Sequence, residues 1–101
     1  MVGSVNVHPG VASKISISSG GYVKIRKIVV VTLSLNVTEA ITDTATALVA
    51  NFPQTLNVAN APLNATNLSQ SSIAMRIYST NLYGELPAKG NWQISGAYLC
   101  N

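Results

Sequence analysis

With 101 residues, 48% of them hydrophobic and only 9% charged, the chain has room for one domain around one core. Average soluble proteins carry roughly 25% charged residues, so solubility here must come from Ser, Thr and Asn. Six basic and three acidic side chains give a net charge of +3, a scarcity of acids rather than the basic stripe of a nucleic-acid binder, and the regular apolar alternation excludes disorder.

The first dozen residues read as an extended lead-in, with a turn at His8-Pro9-Gly10 where Pro fixes φ and Gly accepts a strained position. His8, the sole histidine, is expected to be solvated in that turn. KISIS, residues 14 to 18, alternates as a short strand and is predicted to stop at Ser18-Ser19-Gly20-Gly21. In YVKIRKIVVVTLSLNV, residues 22 to 37, Val29, Val31, Leu33, Leu35 and Val37 are apolar while Thr32, Ser34 and Asn36 oppose them. This is a half-buried strand. Sixteen residues exceed the usual strand, and Lys27 interrupts the apolar phase, so the chain must turn or bulge near Arg26 to Ile28. Two strands result, Tyr22 to Arg26 and Ile28 to Val37; Lys24 and Arg26 would then point to one face and Lys27 to the other. Ile28 and Val30 make both faces of the second strand apolar at its start, which suits a sandwich interior or a subunit contact.

Thr38 to Thr46 has too many β-branched residues for a helix capped by Thr38, and TATALVANFP reads as a strand ending at Pro53. From Gln54 to Gln70 the pattern dissolves into a long connection with one short strand near Leu56 to Ala59. SSIAMRIYS restores alternation, with Ile73, Met75 and Ile77 on one face and Ala74, Arg76 and Tyr78 on the other. Thr80-Asn81 turns the chain, Leu82 to Leu86 returns as the hairpin partner, and Pro87 to Asn91 turns it again. The closing strand is Trp92 to Leu99, with a bulge expected at Gly96. Cys100, the single cysteine, forms no intrachain disulfide and reads as a small buried hydrophobe. The sum is an all-β chain, a compact antiparallel β-barrel or sandwich of about seven or eight short strands. It forms a single β domain over 1–101, with a lead-in and a short strand over 1–20 and the core over 21–101. Its last strand is an integral member of the ladder.

Catalytic chemistry has little to work with: one His, one Cys and three carboxylates, of which Glu39 and Asp43 fall in a polar connection where charges are normally solvated. No nucleophile elbow, phosphate loop or zinc-ligand spacing occurs, so no enzyme, cofactor or metal is expected. Asn-x-Ser/Thr sequons at Asn36, Asn64 and Asn67 match the frequency that chance supplies in so Asn- and Ser-rich a chain. MVGSVNVHPGVAS lacks the charged and apolar regions of a signal peptide, and IVVVTLSL is far short of the roughly 20 residues that span a bilayer, so no membrane insertion is expected. The aromatic set is more informative. Flat rings with a polar handle stack on sugar faces, and Asn, Gln and Arg supply directional hydrogen bonds to hydroxyls. Core packing accounts best for Tyr98; the candidate saccharide-binding residues are Arg76 and Tyr78 on one strand, Tyr83 across its hairpin, and Trp92 on the closing strand.

The order of YVKIRKIVVVTLSLNV, ATALVANFP, IAMRIYSTNLYGEL and GNWQISGAYLC resembles the C-terminal receptor-binding head domain of siphophage tail-fibre and baseplate proteins, as in phages of lactic acid bacteria. The likeness spans residues 20 to 101. It implies a compact β-barrel that ends with its last strand, forms homotrimers, sits among other tail or baseplate proteins of the virion, and attaches the particle to host cell-wall saccharide. The family commonly has a Gly or Asn turn where this chain has Arg26-Lys27-Ile28, and a Leu-Pro followed by Tyr/Phe-Arg-Pro where this chain has Phe52-Pro53-Gln54-Thr55-Leu56. Some lactococcal heads use a His-x-Asp pair where this chain reads Ala74-Met75-Arg76, so their sugar site does not transfer. Two further readings stay open: a structural trimerising fibre-tip or baseplate domain, and a bacterial secreted β-sandwich adhesin.

Overall fold

A computed structural model of the chain describes residues 2–42, 47–56, 60–67 and 72–101. Among these the strands are β1 (Val2–Gly3), β2 (Asn6–Val7), β3 (Ile15–Ile25), β4 (Ile28–Val37), β5 (Ala47–Ala50), β6 (Asn60–Asn67), β7 (Ser72–Tyr78), β8 (Asn81–Tyr83) and β9 (Gly90–Leu99). They form one sheet in the order β1-β3-β4-β9-β6-β7-β8-β5-β2, antiparallel at every pairing. The sheet curls on itself into a half-barrel, as the all-β expectation required. The described residues hold nine strands where seven or eight were expected: the lead-in adds two, and the two expected over residues 14 to 26 are one.

β4 and β9 pair along their whole length. Ile28 pairs with Leu99 and Val37 with Gly90, so all ten residues of each strand are in register. On β4 the odd residues Val29 to Val37 face the core and are buried, as their alternation demands. Trp92, Ile94 and Tyr98 of β9 meet them from the next strand. Gly96 completes that inward row without a bulge: its φ of 154° is unusual for an L side chain, and a Cβ there would fall on Leu63 Cδ2. The glycine is set by close packing across the sheet rather than by an irregular strand.

Two expectations change at the β3 end. KISIS does not stop at Ser18; one strand runs from Ile15 to Ile25, and the Ser-Gly run is absorbed as a bulge between Ile17 and Ser19. A bulge shifts the side-chain phase by one residue, and for that reason simple alternation breaks there. Arg26 and Lys27 are not on strand faces but form the tight turn between Ile25 and Ile28, with Arg26 at φ 57°. Gly20, at φ 92°, sits where a side chain would meet the Thr32 carbonyl.

The lead-in is structural. β1 pairs with β3 at one edge of the sheet and β2 with β5 at the other, so the six residues from Val2 to Val7 cross the gap that the half-barrel leaves open. Val5, between them, is buried in the core. Tyr22 lies directly against Gly3, where any side chain would collide with its ring. His8 then caps a 3₁₀ turn over Pro9–Val11, accepting a bond from the Gly10 amide at 3.2 Å through Nδ1. It is a local cap as well as a turn residue.

β6 lies inside the stretch expected to be a connection. Its core-facing residues are Ala61, Leu63 and Ala65, two of them too small to announce a strand, and it contains Pro62. Proline is tolerated because the ladder from β6 to β9 begins only at Asn64, leaving Pro62 paired on the β7 side alone. The short strand expected near Leu56 to Ala59, and Asp43, fall largely or wholly outside the described residues. The chain's end is fastened: the Cys100 amide donates to the Lys27 carbonyl at 2.9 Å and the Asn101 amide to the Gln54 carbonyl at 3.1 Å. Cys100 is buried, as expected.

Candidate functional site

Because every pairing is in known register, the outward side chains can be followed strand by strand across the convex face. Nearest the Arg26–Lys27 turn, one row runs Ile25, Ile28, Leu99 on β3, β4 and β9, and on β6, β7 and β8 Asn60, Tyr78, Asn81. The next runs Val2, Val23, Val30, Ala97, and on β6 to β8 Pro62, Arg76, Tyr83. Beyond them the rows become Gly21, Thr32, Ser95, Asn64, Ala74, and then Ser19, Ser34, Gln93, Thr66, Ser72. Among the described residues every exposed large hydrophobic side chain belongs to the first two rows, Ile25 at 62%, Leu99 at 54% and Ile28 at 50% exposure among them.

Arg76 and Tyr83 are direct cross-strand partners, and the guanidinium carbon lies 4.6 Å from the Tyr83 ring centroid. A cation over a ring at this distance holds both groups in place and is worth about 0.5–1 kcal/mol at an exposed site. Arg76 also donates from Nη1 to Asn60 Oδ1 at 3.4 Å, across β6. Tyr78, two residues along on the same face, is 42% exposed and opposite Asn60 and Asn81. Arg76 and Tyr83 border an open groove of about 420 Å³ whose walls also include Ala74 and Glu85, while Tyr78 and Asn60 lie in the neighbouring row, outside its lining. The structure therefore brings together three of the four expected site residues and adds Asn60 and Glu85. Asn60 sits in the segment whose strand character the alternation missed, where the small inward residues of β6 gave no periodic signal.

Trp92 is not among them. Its side chain is fully buried, facing inward between Leu35 and Asn67, and its indole Nε1 donates to the Ala88 carbonyl at 2.9 Å. A ring with no exposed face cannot stack on a sugar, so Trp92 is a core residue; its even position on β9 shares the inward phase of Ile94 and Tyr98. Tyr98 packs in the core as expected, its hydroxyl donating to the Pro53 carbonyl at 2.8 Å. Burial, reinforced by nearby Cys100 and Tyr22, pushes that hydroxyl far above the ordinary tyrosine range.

The polar rows are knitted by their own side chains. Ser34 donates to Asn91 Oδ1 at 3.0 Å and accepts from Gln93 Nε2 at 2.9 Å. A larger groove of about 590 Å³ lies at the apolar rows, between β1 and the β3–β4 hairpin, with Val2, Gly21, Val23, Val30 and Thr32 in its walls. Its lining holds Tyr22 but no charged side chain, so the Arg76–Tyr83 groove, which has both Arg76 and Glu85, is the better candidate for a polar ligand. Among the described residues no three His, Cys, Asp or Glu side chains converge as a metal site would require. In comparisons with known proteins, no family model, no curated protein and no solved structure matches the chain.

Proposed function

We propose that the chain is a non-catalytic receptor-binding head domain, which attaches a virion to host cell-surface saccharide through shallow sites repeated around a homotrimer. Its place would be the tail tip or baseplate, outside the cell, beside other tail proteins. The observation that carries this reading is the Arg76–Tyr83 pair, held on the outward face with the Asn60 amide on Arg76 and Tyr78 in the next row. A fixed guanidinium fork, a carboxamide and phenolic rings are the groups that sugar hydroxyls need, with Tyr78 leaving 42% of its surface exposed. Such a groove binds weakly by itself, and three copies acting on one cell surface raise avidity without further contacts.

Purified protein is expected to bind intact cells of a sensitive Gram-positive host, and Arg76→Ala and Tyr83→Ala to reduce that binding at least tenfold while the far-ultraviolet dichroism stays native. Retention of full cell binding by both folded variants would remove the groove from consideration. The burial of Trp92 favours one second reading, a structural trimerising domain of a fibre tip or baseplate, because it leaves fewer rings available for sugar. A trimer that binds no cells would establish that reading instead. A monomer that binds cells would point to a bacterial secreted adhesin.

A further inference from the structure

The groove between β7 and the chain that follows β8 is a gap in a ladder, and the register shows which main-chain groups it leaves open. The Cys100 amide bonds to the Lys27 carbonyl, one step past the Ile28–Leu99 pair. The even residues of β9 therefore turn their N–H and C=O groups to β4, and the odd ones, Ser95 included, turn theirs to β6. Ser95 then bonds with Asn64, and Ala74, opposite Asn64 on β7, faces away from β6. The β7–β8 hairpin agrees: its two-residue loop makes Tyr78–Asn81 a bonded pair and Arg76–Tyr83 the next, with Ala74 at the following position. β8 ends at Tyr83, and the chain leaves β7 for Ile41, with which Leu86 exchanges two main-chain bonds at 2.9 and 2.8 Å. Among the described residues nothing takes the Ala74 N–H and C=O, which open on the groove that Ala74 lines.

Glu85 stands in the same wall, half-exposed, and makes no hydrogen bond or ion pair among the described residues. Arg76 is already engaged, its guanidinium lying over Tyr83 and donating to Asn60. The charges of the groove thus cancel, although the whole chain carries +3. A phosphate or carboxylate entering it would gain Arg76 but would meet the Glu85 carboxylate and the Ala74 carbonyl, two acceptors it cannot use. A hydroxyl donates and accepts at once, and two on adjacent carbons can serve an N–H, a C=O and a carboxylate together. We infer that the Ala74 main chain and the Glu85 carboxylate read the ligand alongside Arg76 and Tyr83, and that the saccharide is neutral, with adjacent hydroxyls, rather than an acidic polymer. The inference rests on the saccharide reading above and names the class of sugar.

Hydrogen exchange followed by nuclear magnetic resonance tests the gap itself. The Ala74 amide should exchange about tenfold or more faster than those of Ile73 and Met75, which bond to β6. Equal protection of all three would overturn the inference. Binding of the native chain to intact host cells should be the same at physiological ionic strength and at about 1 M, where screening leaves charges a reach of only about 3 Å. Mild periodate, which cleaves adjacent diols, should remove that binding when the cells are treated first. Glu85→Gln should weaken binding about tenfold or more, as the loss of a hydrogen bond to a charged group does, whereas an acidic ligand would bind this variant more tightly. Ala74→Pro removes the open N–H without taking one from the β6 ladder and should weaken binding while the dichroism stays native; if that variant does not fold, Glu85→Gln carries the same test. Binding that falls with salt, that survives periodate, or that Glu85→Gln strengthens or leaves unchanged overturns this inference alone. Native protein that binds no cells overturns the receptor reading, and this inference with it.

Discussion

Along β4 and β9 the inward face and the outward face obey different rules. Inward, both ends of β4 are alike, from Val29 to Val37, and all are buried. Outward, the same ten residues change character halfway, from Ile28 and Val30 to Thr32, Ser34 and Asn36, and β9 changes at the same level, from Leu99 and Ala97 to Ser95, Gln93 and Asn91. The core is satisfied by one face, so the other is free to be divided between an apolar band and an uncharged polar one. That both strands switch at one level marks the division as a property of the surface rather than of either strand.

The contrast can be broken most forcefully from inside. Trp92→Ala removes the largest fully buried side chain and should cost about 3–5 kcal/mol in urea unfolding, abolishing binding only through the fold. Gly96→Ala places a methyl on Leu63 and should cost about 1–3 kcal/mol by overpacking, measurable in the same way. Tyr98→Phe loses the bond to the Pro53 carbonyl, about 1 kcal/mol at neutral pH, and alters the alkaline limb. The folded hydroxyl titrates above its unfolded value near 10, so its contribution is whole below that pH and declines above it as the unfolded chain releases its proton first. Unfolding measured against pH should therefore fall less steeply beyond pH 10 in Tyr98→Phe. Outside, Ile28→Ser at concentrations where the chain is a single copy should change stability by no more than about 0.5 kcal/mol. A cost of several kcal/mol there would mean that the outward band supports the fold itself.

Much of this was legible in the residues. Ile28 to Val37 has an alternation strong enough to define its limits, and the strand occupies those residues. The turn near Arg26 was legible from Lys27, a charge standing in an apolar phase. β6 was not, since two of its three buried inward positions are held by alanine, Ala61 and Ala65, and small residues leave no periodic signal. The run Ser18 to Gly21 looked like a stop because its bulge and its close approach to β1 need the same small residues that end strands. At the candidate site the phase of β7 put Arg76 and Tyr78 outward and the hairpin put Tyr83 across from them, but the approach of Asn60 depends on register that local pattern does not carry. Trp92 was placed by chemistry where phase should have decided: two residues before Ile94 and six before Tyr98, it shares their inward row.

The position of β9 has a consequence for how the domain is made. It is the last strand of the domain to emerge during synthesis, yet it joins β3–β4 on one side to β6–β7 on the other. Until residue 99 has left the ribosome, the two hairpins have no shared neighbour, and the inward faces of both wait for Trp92 and Ile94. Folding is thus an event of the finished domain rather than a gradual one, with long-range pairing deferred to the end and IVVVTLSL exposed to other nascent chains meanwhile. On a polysome, where copies are produced side by side, that interval is also when neighbouring chains of this protein first meet.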